Sequence, residues 1–279
     1  MTYLRLCKPA LAGLAAAAAA AGCLVAAPRF FAGAVWAGLG VFLLAAGAAS
    51  LNQYQERELD RRMERTKGRP LPSGLVRPVP ALAWSVLLFA AGLVVLSRGG
   101  IRPVVLGAVA AAWYNGVYTP LKRTSPTAAV PGALSGALAP LVGGAFAGAR
   151  LDDPRLAALA LVLFIWQIPH FWLVVLEQAG DFRQAGLPTL LDRLSEAQAR
   201  RVVAHWVLGT AAATMVVSGW GSLGFPATRW ALLLISLWLA AGALRFRASP
   251  FRLERSLFKT MNVHMSALLL LVCCDRLLV

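Results

Sequence analysis

Nine long apolar runs dominate the chain, and shorter polar segments separate them. Each run approaches the roughly 20 residues that a helix needs to cross the hydrocarbon core of a bilayer. The links after runs 1, 3, 5 and 7 are short, whereas those after runs 2, 6 and 8 are longer. The pattern predicts an all-α integral membrane protein, a bundle of about nine transmembrane helices. The expected spans are 9–27, 30–51, 79–97, 101–119, 127–148, 154–176, 203–220, 227–244 and 260–279.

The basic residues indicate how the bundle is oriented. Of the 27 Lys and Arg residues, 20 lie in the N-terminal tail and in the loops after runs 2, 4, 6 and 8, and seven lie elsewhere. Cytoplasmic loops of membrane proteins carry such an excess of Lys and Arg. We therefore expect a multi-pass protein of the cell inner membrane, with a cytoplasmic N-terminus and with every densely charged loop facing the cytoplasm.

The overall composition agrees with a membrane protein. Hydrophobic residues make up 59% of the 279 residues, charged residues make up 14%, and the mean hydropathy is +0.67. A net charge of +15 would suit nucleic acid if the cations formed a stripe with interleaved aromatic residues. They are instead scattered over separate loops, so we expect the bilayer as a partner and no nucleic acid. We expect residues 1–279 to form a single transmembrane domain.

The most informative polar stretch follows the second apolar run. Asn52, Glu56 and Asp60 recur every four residues, so that on a helix they share one face. Charged groups at the end of a membrane helix are costly unless they serve a site, and Mg²⁺ prefers hard oxygen ligands shared between carboxylates and phosphates. A magnesium-bridged polyphosphate fits this face, together with three cations that follow it, Arg65, Lys67 and Arg69. A solvated helix extension held by salt bridges explains the spacing equally well.

The short loop after the fourth run contains two adjacent cations, Lys122 and Arg123, just beyond Tyr118. Beside the mouth of a membrane bundle, two cations can hold an anion. The alternative is that they only anchor the topology of the chain.

A second acidic pair, Glu177 and Asp181, closes the sixth run with the same spacing of four. Two such pairs on one membrane face, with a basic loop between them in sequence, suit one pocket that holds a diphosphate through bridging Mg²⁺. Within the run, His170 follows Pro169, which loosens local helix hydrogen bonding. The imidazole is expected either to donate to a freed backbone carbonyl or to contact a substrate or iron.

These motifs resemble the UbiA superfamily of intramembrane prenyltransferases, and the resemblance covers essentially the whole chain. The Asn52-x3-Glu56-x3-Asp60 spacing is similar to the first Asp-rich motif of the superfamily. The continuation from Arg62 to Leu71 is typical of its haem-farnesylating branch. The remaining blocks that match are Tyr118-Thr-x-Leu-Lys122-Arg123, Pro131-Gly-Ala-Leu with Pro140-Leu, Trp166-Gln167-x-Pro169-His170-Phe171-Trp172, and Asp181 with Ala185-Gly186-Leu-Pro188.

The resemblance implies a UbiA-like bundle that transfers a farnesyl group from farnesyl diphosphate to a vinyl group of haem B, with Mg²⁺ as cofactor. Haem or cytochrome oxidase assembly proteins are the implied downstream partners. The implied catalytic residues are Asn52, Glu56, Asp60, Asp181 and Tyr118, and the implied metal ligands are Asn52, Glu56, Asp60, Glu177 and Asp181. The implied diphosphate-binding residues are Arg65, Lys67, Arg69, Lys122 and Arg123. The implied haem or acceptor contacts are His170 and Trp166.

Two alternatives remain at this point. The first is a prenyltransferase of the same kind with another acceptor, such as a quinone-precursor ring. The second is a transporter or assembly protein that binds a phosphorylated lipid without chemistry, which would need no Mg²⁺-dependent release of diphosphate.

Overall fold

The computed structural model describes residues 2–219, 223–249 and 253–279, and these ranges form helices and no strands. The α-helices within them are numbered α1 to α12. Their bounds are Thr2–Leu6, Pro9–Ala26, Phe31–Asp60, Pro78–Leu96, Ile101–Ala112, Thr119–Leu121, Ala129–Phe146, Pro154–Glu177, Ala179–Gln184, Glu196–Gly219, Pro226–Ala248 and Glu254–Leu278.

The prediction of an all-α bundle of about nine transmembrane helices is confirmed. Eight helices of the described ranges are long and apolar enough to cross a membrane: α2, α3, α4, α7, α8, α10, α11 and α12. The predicted span 101–119 is helical as well, but it is composite. It consists of α5, a π-helical turn over Trp113–Tyr118, and α6. The protein is therefore a multi-pass membrane protein.

Three helices extend well beyond their predicted apolar runs. Helix α3 continues to Asp60 rather than ending at 51, and α10 and α12 begin at Glu196 and Glu254 rather than at 203 and 260. Hydropathy detects only the part of a helix that suits a bilayer, whereas backbone hydrogen bonding continues through polar residues. The extension of α3 matters most, because it keeps the face that begins at Asn52 on a regular helix.

Helices α2 and α7 approach each other closely because both carry small residues where they cross. A Cβ atom added at Gly143 would overlap the carbonyl oxygen of Ala19, and one added at Gly22 would overlap the carbonyl of Pro140. Small residues at such crossings let membrane helices pack backbone to backbone. This crossing lies within the main apolar cluster, which also includes α8, α10 and α12.

Polar and charged elements gather at one end of the bundle, which we call the charged end. It contains the start of α2, the end of α3, the loop 61–77, the loop that begins at Lys122 and the segment from Asp181 to Leu187, which hydrogen bonds and a small apolar cluster join. Gln53 of α3 donates hydrogen bonds to the carbonyls of Leu6 (2.8 Å) and Arg5 (3.3 Å), which fixes the short helix α1 over this end. The fold thus brings the N-terminal residues to the polar face of α3.

We expect Gly143→Ala to lower the free energy of unfolding by about 1–3 kcal/mol, because overpacking at the α2–α7 crossing forces the backbones apart. Gly13→Ala in α2 is the matched control, since an added Cβ there meets no atom within 4 Å. It should leave stability unchanged or raise it through helix propensity. Thermal unfolding in detergent measures both variants, and equal melting temperatures would contradict the close crossing.

Candidate active site

Asn52, Glu56 and Asp60 lie on one buried face of α3 at the charged end. Their exposed fractions are 1%, 3% and 3%. The amide of Asn52 donates to Glu56 Oε2 at 3.0 Å, which ties two of the three side chains together directly. Two buried carboxylates on one helix face require compensating charge or hydrogen bonds.

Two cations supply that compensation. Lys122 Nζ lies 2.6 Å from Glu56 Oε2, and Arg69 Nη1 lies 2.8 Å from each oxygen of Asp60. Burial lowers the pKa of Lys122, although the contact with Glu56 acts in the opposite direction. Arg69 comes from the loop 61–77, which turns back toward α3 with the Thr66 hydroxyl donating to the carbonyl of Asp60 at 2.8 Å. The first and second polar motifs of the sequence therefore meet in one site.

Lys8 is a third cation at this site, and the sequence reasoning missed it. Its Nζ donates to Asn52 Oδ1 at 3.3 Å. Burial, together with the nearby charges of Arg69 and Lys122, lowers the pKa of Lys8 to about 7, although Glu56 and Asp60 act in the opposite direction. Because the charges of four neighbours act on it, Lys8 is part of the same electrostatic cluster.

A signal for Lys8 does exist in the sequence. Lys8 immediately precedes Pro9, the first residue of α2, and a cation at a helix N-terminus opposes the helix dipole. Its backbone is also left-handed, with φ of 45°, which costs a non-glycine residue about 1–2 kcal/mol. The unfavourable cation at the helix start indicates compensating acidic groups nearby, and in the structure Lys8 bonds to Asn52 on the carboxylate face of α3.

The donor set on α3 fits Mg²⁺. Glu56 Oε1 is buried and has no hydrogen-bond partner, although the other oxygen of the same carboxylate is fully engaged. Together with the Asn52 amide oxygen and the Asp60 carboxylate on the same helix face, this bare oxygen gives the hard-oxygen set that Mg²⁺ prefers. Glu56, Asp60 and Asn52 are therefore the residues suited to hold the ion.

Asp181 joins the site through the backbone of the loop 61–77. Its Oδ2 accepts a hydrogen bond from the Arg65 amide nitrogen at 3.0 Å. A small apolar cluster that includes Met63, Val175 and Phe182 holds the two segments together. The guanidinium of Arg65 lies 6.0 Å from the centre of the Phe182 ring. The structure thus brings the first acidic motif and Asp181 into the same region.

The expectation that Glu177 and Asp181 share one helix end is wrong, whereas their role in metal binding stays a prediction. Helix α8 ends at Glu177, and Gln178 has φ of −122° and ψ of 32°, so the spacing of four does not run along one continuous helix. Glu177 is exposed. Across the described residues, moreover, no group of three or more Asp, Glu, His or Cys side chains converges on one point. The metal-binding role of the five expected residues as one set stays a prediction.

Two of the five expected diphosphate cations have partners other than Asn52, Glu56 and Asp60. Lys67 is exposed and pairs with Glu64 at 2.6 Å. Arg123 is exposed and donates to the backbone carbonyl of Gln55 at 2.7 Å. Both residues lie in irregular loops, where the spacing of residues in the sequence does not determine the direction of their side chains. Their partners place them on the outside of the site.

Aromatic rings border the carboxylate site. Tyr118 lies with its ring 5.4 Å from that of Tyr114 and 6.2 Å from that of Phe171, and Lys122 Nζ is 5.6 Å from its centre. A Cβ atom added at Gly132 would collide with the Tyr118 ring, so the glycine provides the space for it. Tyr118 therefore stands between the cationic site and the apolar interior.

Trp166 and His170 belong to the contact between α8 and α12. Trp166 Nε1 donates to the carbonyl of Met261 at 3.0 Å. The His170 ring lies 4.5 Å from both the Trp166 and the Phe258 rings. His170 Nδ1 is buried without a hydrogen-bond partner, so it does not bond to a backbone carbonyl, and α8 continues through Pro169 unbroken. Trp166 therefore has a structural partner, whereas His170 keeps an unused nitrogen.

A helical membrane bundle with a buried carboxylate face and matching cations at one end is the arrangement expected of an intramembrane prenyltransferase. The profile of the UbiA prenyltransferase family matches residues 9–266. The chain belongs to this family.

Its relatives and structural neighbours agree with this assignment. A protoheme IX farnesyltransferase of Geobacter sulfurreducens is 41% identical over 78% of this chain and 81% of its own length, and one of Oleidesulfovibrio alaskensis is 34% identical over 96% and 93%. A structure described for digeranylgeranylglyceryl phosphate synthase superposes with a TM-score of 0.77 at 16% identity, covering 100% of this chain and 98% of the other. A UbiA homolog from Archaeoglobus fulgidus, bound to GPP and Mg²⁺, superposes with a TM-score of 0.69 at 17% identity, covering 98% and 99%. At these identities the two structures show the shared fold.

We expect Asp181→Ala to reduce prenyl transfer at least tenfold, about 1.4 kcal/mol of barrier, because Asp181 fixes the backbone at Arg65 beside the site. Glu177→Ala, in contrast, should stay within about twofold of the parent rate, since Glu177 is exposed beyond the helix end. Initial rates with purified protein measure both. Equal losses in the two variants would show that the helix break does not separate the residues in function.

Proposed function

We propose that this protein transfers the farnesyl group of farnesyl diphosphate to a vinyl group of haem B, in a Mg²⁺-dependent reaction at the cytoplasmic face of the inner membrane. The observation that carries the proposal is the buried face of α3, where Asn52, Glu56 and Asp60 meet three cations. The shared name of the relatives, protoheme IX farnesyltransferase, supports the choice of donor and acceptor. The excess of basic residues in alternate loops supports the orientation.

The leaving diphosphate binds where the cations are. Lys8, Arg69 and Lys122 already lie against the carboxylate face, so a diphosphate on this face can accept hydrogen bonds from all three. Glu56, Asp60 and Asn52 would hold Mg²⁺ beside these cations, and the ion would supply further neutralisation of the leaving group. Neutralising the diphosphate favours cleavage of the bond between its oxygen and C1 of the farnesyl chain.

The bond from C1 forms to the haem vinyl group. The C1–O electron pair leaves with the diphosphate, the terminal vinyl carbon bonds to C1, and the cation that results on the haem side takes up water and loses a proton. The product is a hydroxyethyl-farnesyl side chain. Other water must be kept from C1, and the rings of Tyr118 and Phe171 border the charged site on its apolar side.

His170 suits the acceptor side of the site. It belongs to an apolar wall between Trp166 and Phe258, and its Nδ1 has no protein partner. A neutral imidazole nitrogen is a common ligand of haem iron. We propose that His170 contacts the haem, whereas Trp166 shapes the wall through its bond to Met261.

Purified protein in detergent, incubated with farnesyl diphosphate, Mg²⁺ and haem B, tests the proposal by the mass of the haem product. We expect a mass increase that corresponds to one farnesyl group plus one hydroxyl group. Diphosphate release with a quinone-precursor ring but not with haem would instead identify another acceptor. Binding of farnesyl diphosphate without any release would identify a non-catalytic lipid-binding protein.

We expect Asp60→Ala to lower the rate of prenyl transfer more than tenfold, about 1.4 kcal/mol or more of barrier, because it removes a buried carboxylate of the metal-binding face. Glu58→Ala is the matched control, since Glu58 is exposed on the same helix and, among the described residues, pairs with Arg57 and Arg61 alone. Initial rates normalised to folded protein measure the effect. A rate above one tenth of the parent rate would exclude a direct role in metal binding.

We expect His170→Ala to weaken haem binding about tenfold while farnesyl diphosphate binding changes less than about twofold. The reason is that His170 lies in the apolar wall rather than among the carboxylates. Absorbance titration with haem, beside binding of a non-hydrolysable farnesyl diphosphate analogue, measures both affinities. His205→Ala is the control, because His205 is exposed and bonds only to the Arg201 carbonyl. Equal loss of both affinities would indicate a structural histidine.

A further inference from the structure

The helix from Ile101 to Leu121 widens by one residue just before the loop that contains Lys122. The Thr119 amide donates to the carbonyl of Tyr114, five residues back, which closes a π-helical turn over Trp113–Tyr118. Pro120 explains the position of this turn, because its ring would meet the carbonyl four residues earlier in a regular α-helix. One extra residue in a turn rotates everything that follows by about 100°. The turn therefore sets the direction of Lys122.

The Thr119 hydroxyl connects this turn to the carboxylate face. It donates to the Tyr114 carbonyl at 2.9 Å and accepts from the Asn52 amide at 3.2 Å. The same amide donates to Glu56 at 3.0 Å. Thr119 is 1% exposed, so water does not compete for these bonds. An unbroken series of hydrogen bonds thus runs from Glu56 to the backbone of the π-helical turn.

Asn115 connects the turn to α3 a second time. Its Nδ2 donates to Gln55 Oε1 at 3.1 Å and to the carbonyl of Ala48 at 3.0 Å. Gln55 Nε2 donates in return to the carbonyl of Asn115 at 3.1 Å. Asn115 is also buried. Reciprocal amide bonds of this kind fix both the separation and the rotation of the turn against α3.

The fixed turn carries the rings of Tyr114 and Tyr118, which border the charged site. Tyr118 fits against Gly132 on one side and faces Phe171 on another. A rotation of the turn by one residue would take Tyr118 out of the space at Gly132 and Lys122 away from Glu56. The positions of the Tyr118 ring and of the Lys122 ammonium group therefore depend on the same backbone turn.

We propose that Thr119 and Asn115 are positioning residues that hold Tyr114 and Tyr118 over the reacting carbon and so exclude water from it. The proposal rests on the proposed function, because it concerns the fate of the farnesyl C1. When the rings are displaced, the C1–O bond still breaks with its electron pair on the diphosphate. The oxygen of water, instead of the vinyl carbon, then bonds to C1 and releases a proton to solvent, which gives farnesol.

Hydrogen exchange of the full-length protein in detergent tests the positioning without reference to any reaction. Thr119→Val keeps the shape of the side chain but removes the hydroxyl, and we expect amides of residues 113–119 to exchange about fivefold faster, as loss of one buried hydrogen bond implies. Thr119→Ser should restore slow exchange. Thr124→Val is the matched control, since Thr124 is exposed in the following loop and bonds only to Leu121. Unchanged exchange in Thr119→Val would overturn the proposal.

Product partitioning tests the consequence for the reaction. With farnesyl diphosphate, Mg²⁺ and haem B, we expect Thr119→Val and Asn115→Leu to raise the ratio of farnesol to farnesylated haem about fivefold, while total diphosphate release falls less than about threefold. Thr119→Ser and Thr124→Val should keep the parent ratio. A purely structural role would lower both products in parallel, and that result would overturn the proposal.

The two measurements separate this inference from the proposed function. If the parent protein does not farnesylate haem, the proposed function fails, and hydrogen exchange still decides whether Thr119 fixes the turn. If haem is farnesylated and exchange accelerates without any gain of farnesol, the turn is fixed for a reason other than exclusion of water, and the inference is wrong.

Discussion

Two carboxylates buried at the boundary of a membrane are the constraint on which the rest of the charged end depends. Glu56 and Asp60 are each 3% exposed, and an unpaired buried charge would cost several kcal/mol. Three separate segments of the chain each contribute a cation that offsets this cost. Lys8 comes from before α2, Arg69 from the loop after α3, and Lys122 from the loop after α6. The paths of these loops follow from the need to bring cations to one helix face.

Regular spacing made the first half of this site predictable from the sequence. Asn52, Glu56 and Asp60 lie on a helix that continues beyond the apolar run, so their period of four holds. The nine spans followed from hydropathy for a similar reason, since a membrane helix is apolar over most of its length. The same argument failed for the helical spacing of Glu177 and Asp181, because a non-helical Gln178 lies between them.

The rest of the site lies in irregular segments, and the sequence did not predict it. Lys67 and Arg69 are two residues apart in a loop, yet Lys67 bonds to Glu64 and Arg69 reaches Asp60, and only the folded path of the loop decides which one turns inward. Thr119 and Gly132 are small residues that resemble ordinary membrane-helix packing in sequence. In the structure, Thr119 joins two helices by its hydroxyl, and Gly132 provides the space that the Tyr118 ring fills. Such roles depend on which side chains of other helices lie next to these residues, and the sequence alone does not reveal that.

The internal ion pairs of the site also bear on turnover. Lys122 and Arg69 contact carboxylates in the protein alone, so the resting site is already close to electrically balanced. Under the proposed reaction, an incoming diphosphate has to replace the carboxylates as the partner of these cations. Its net affinity is therefore reduced by the free energy needed to break the ion pairs. The same exchange runs in reverse after the reaction. The carboxylates of Glu56 and Asp60 compete with the product diphosphate for Lys122 and Arg69. This competition favours release of the diphosphate.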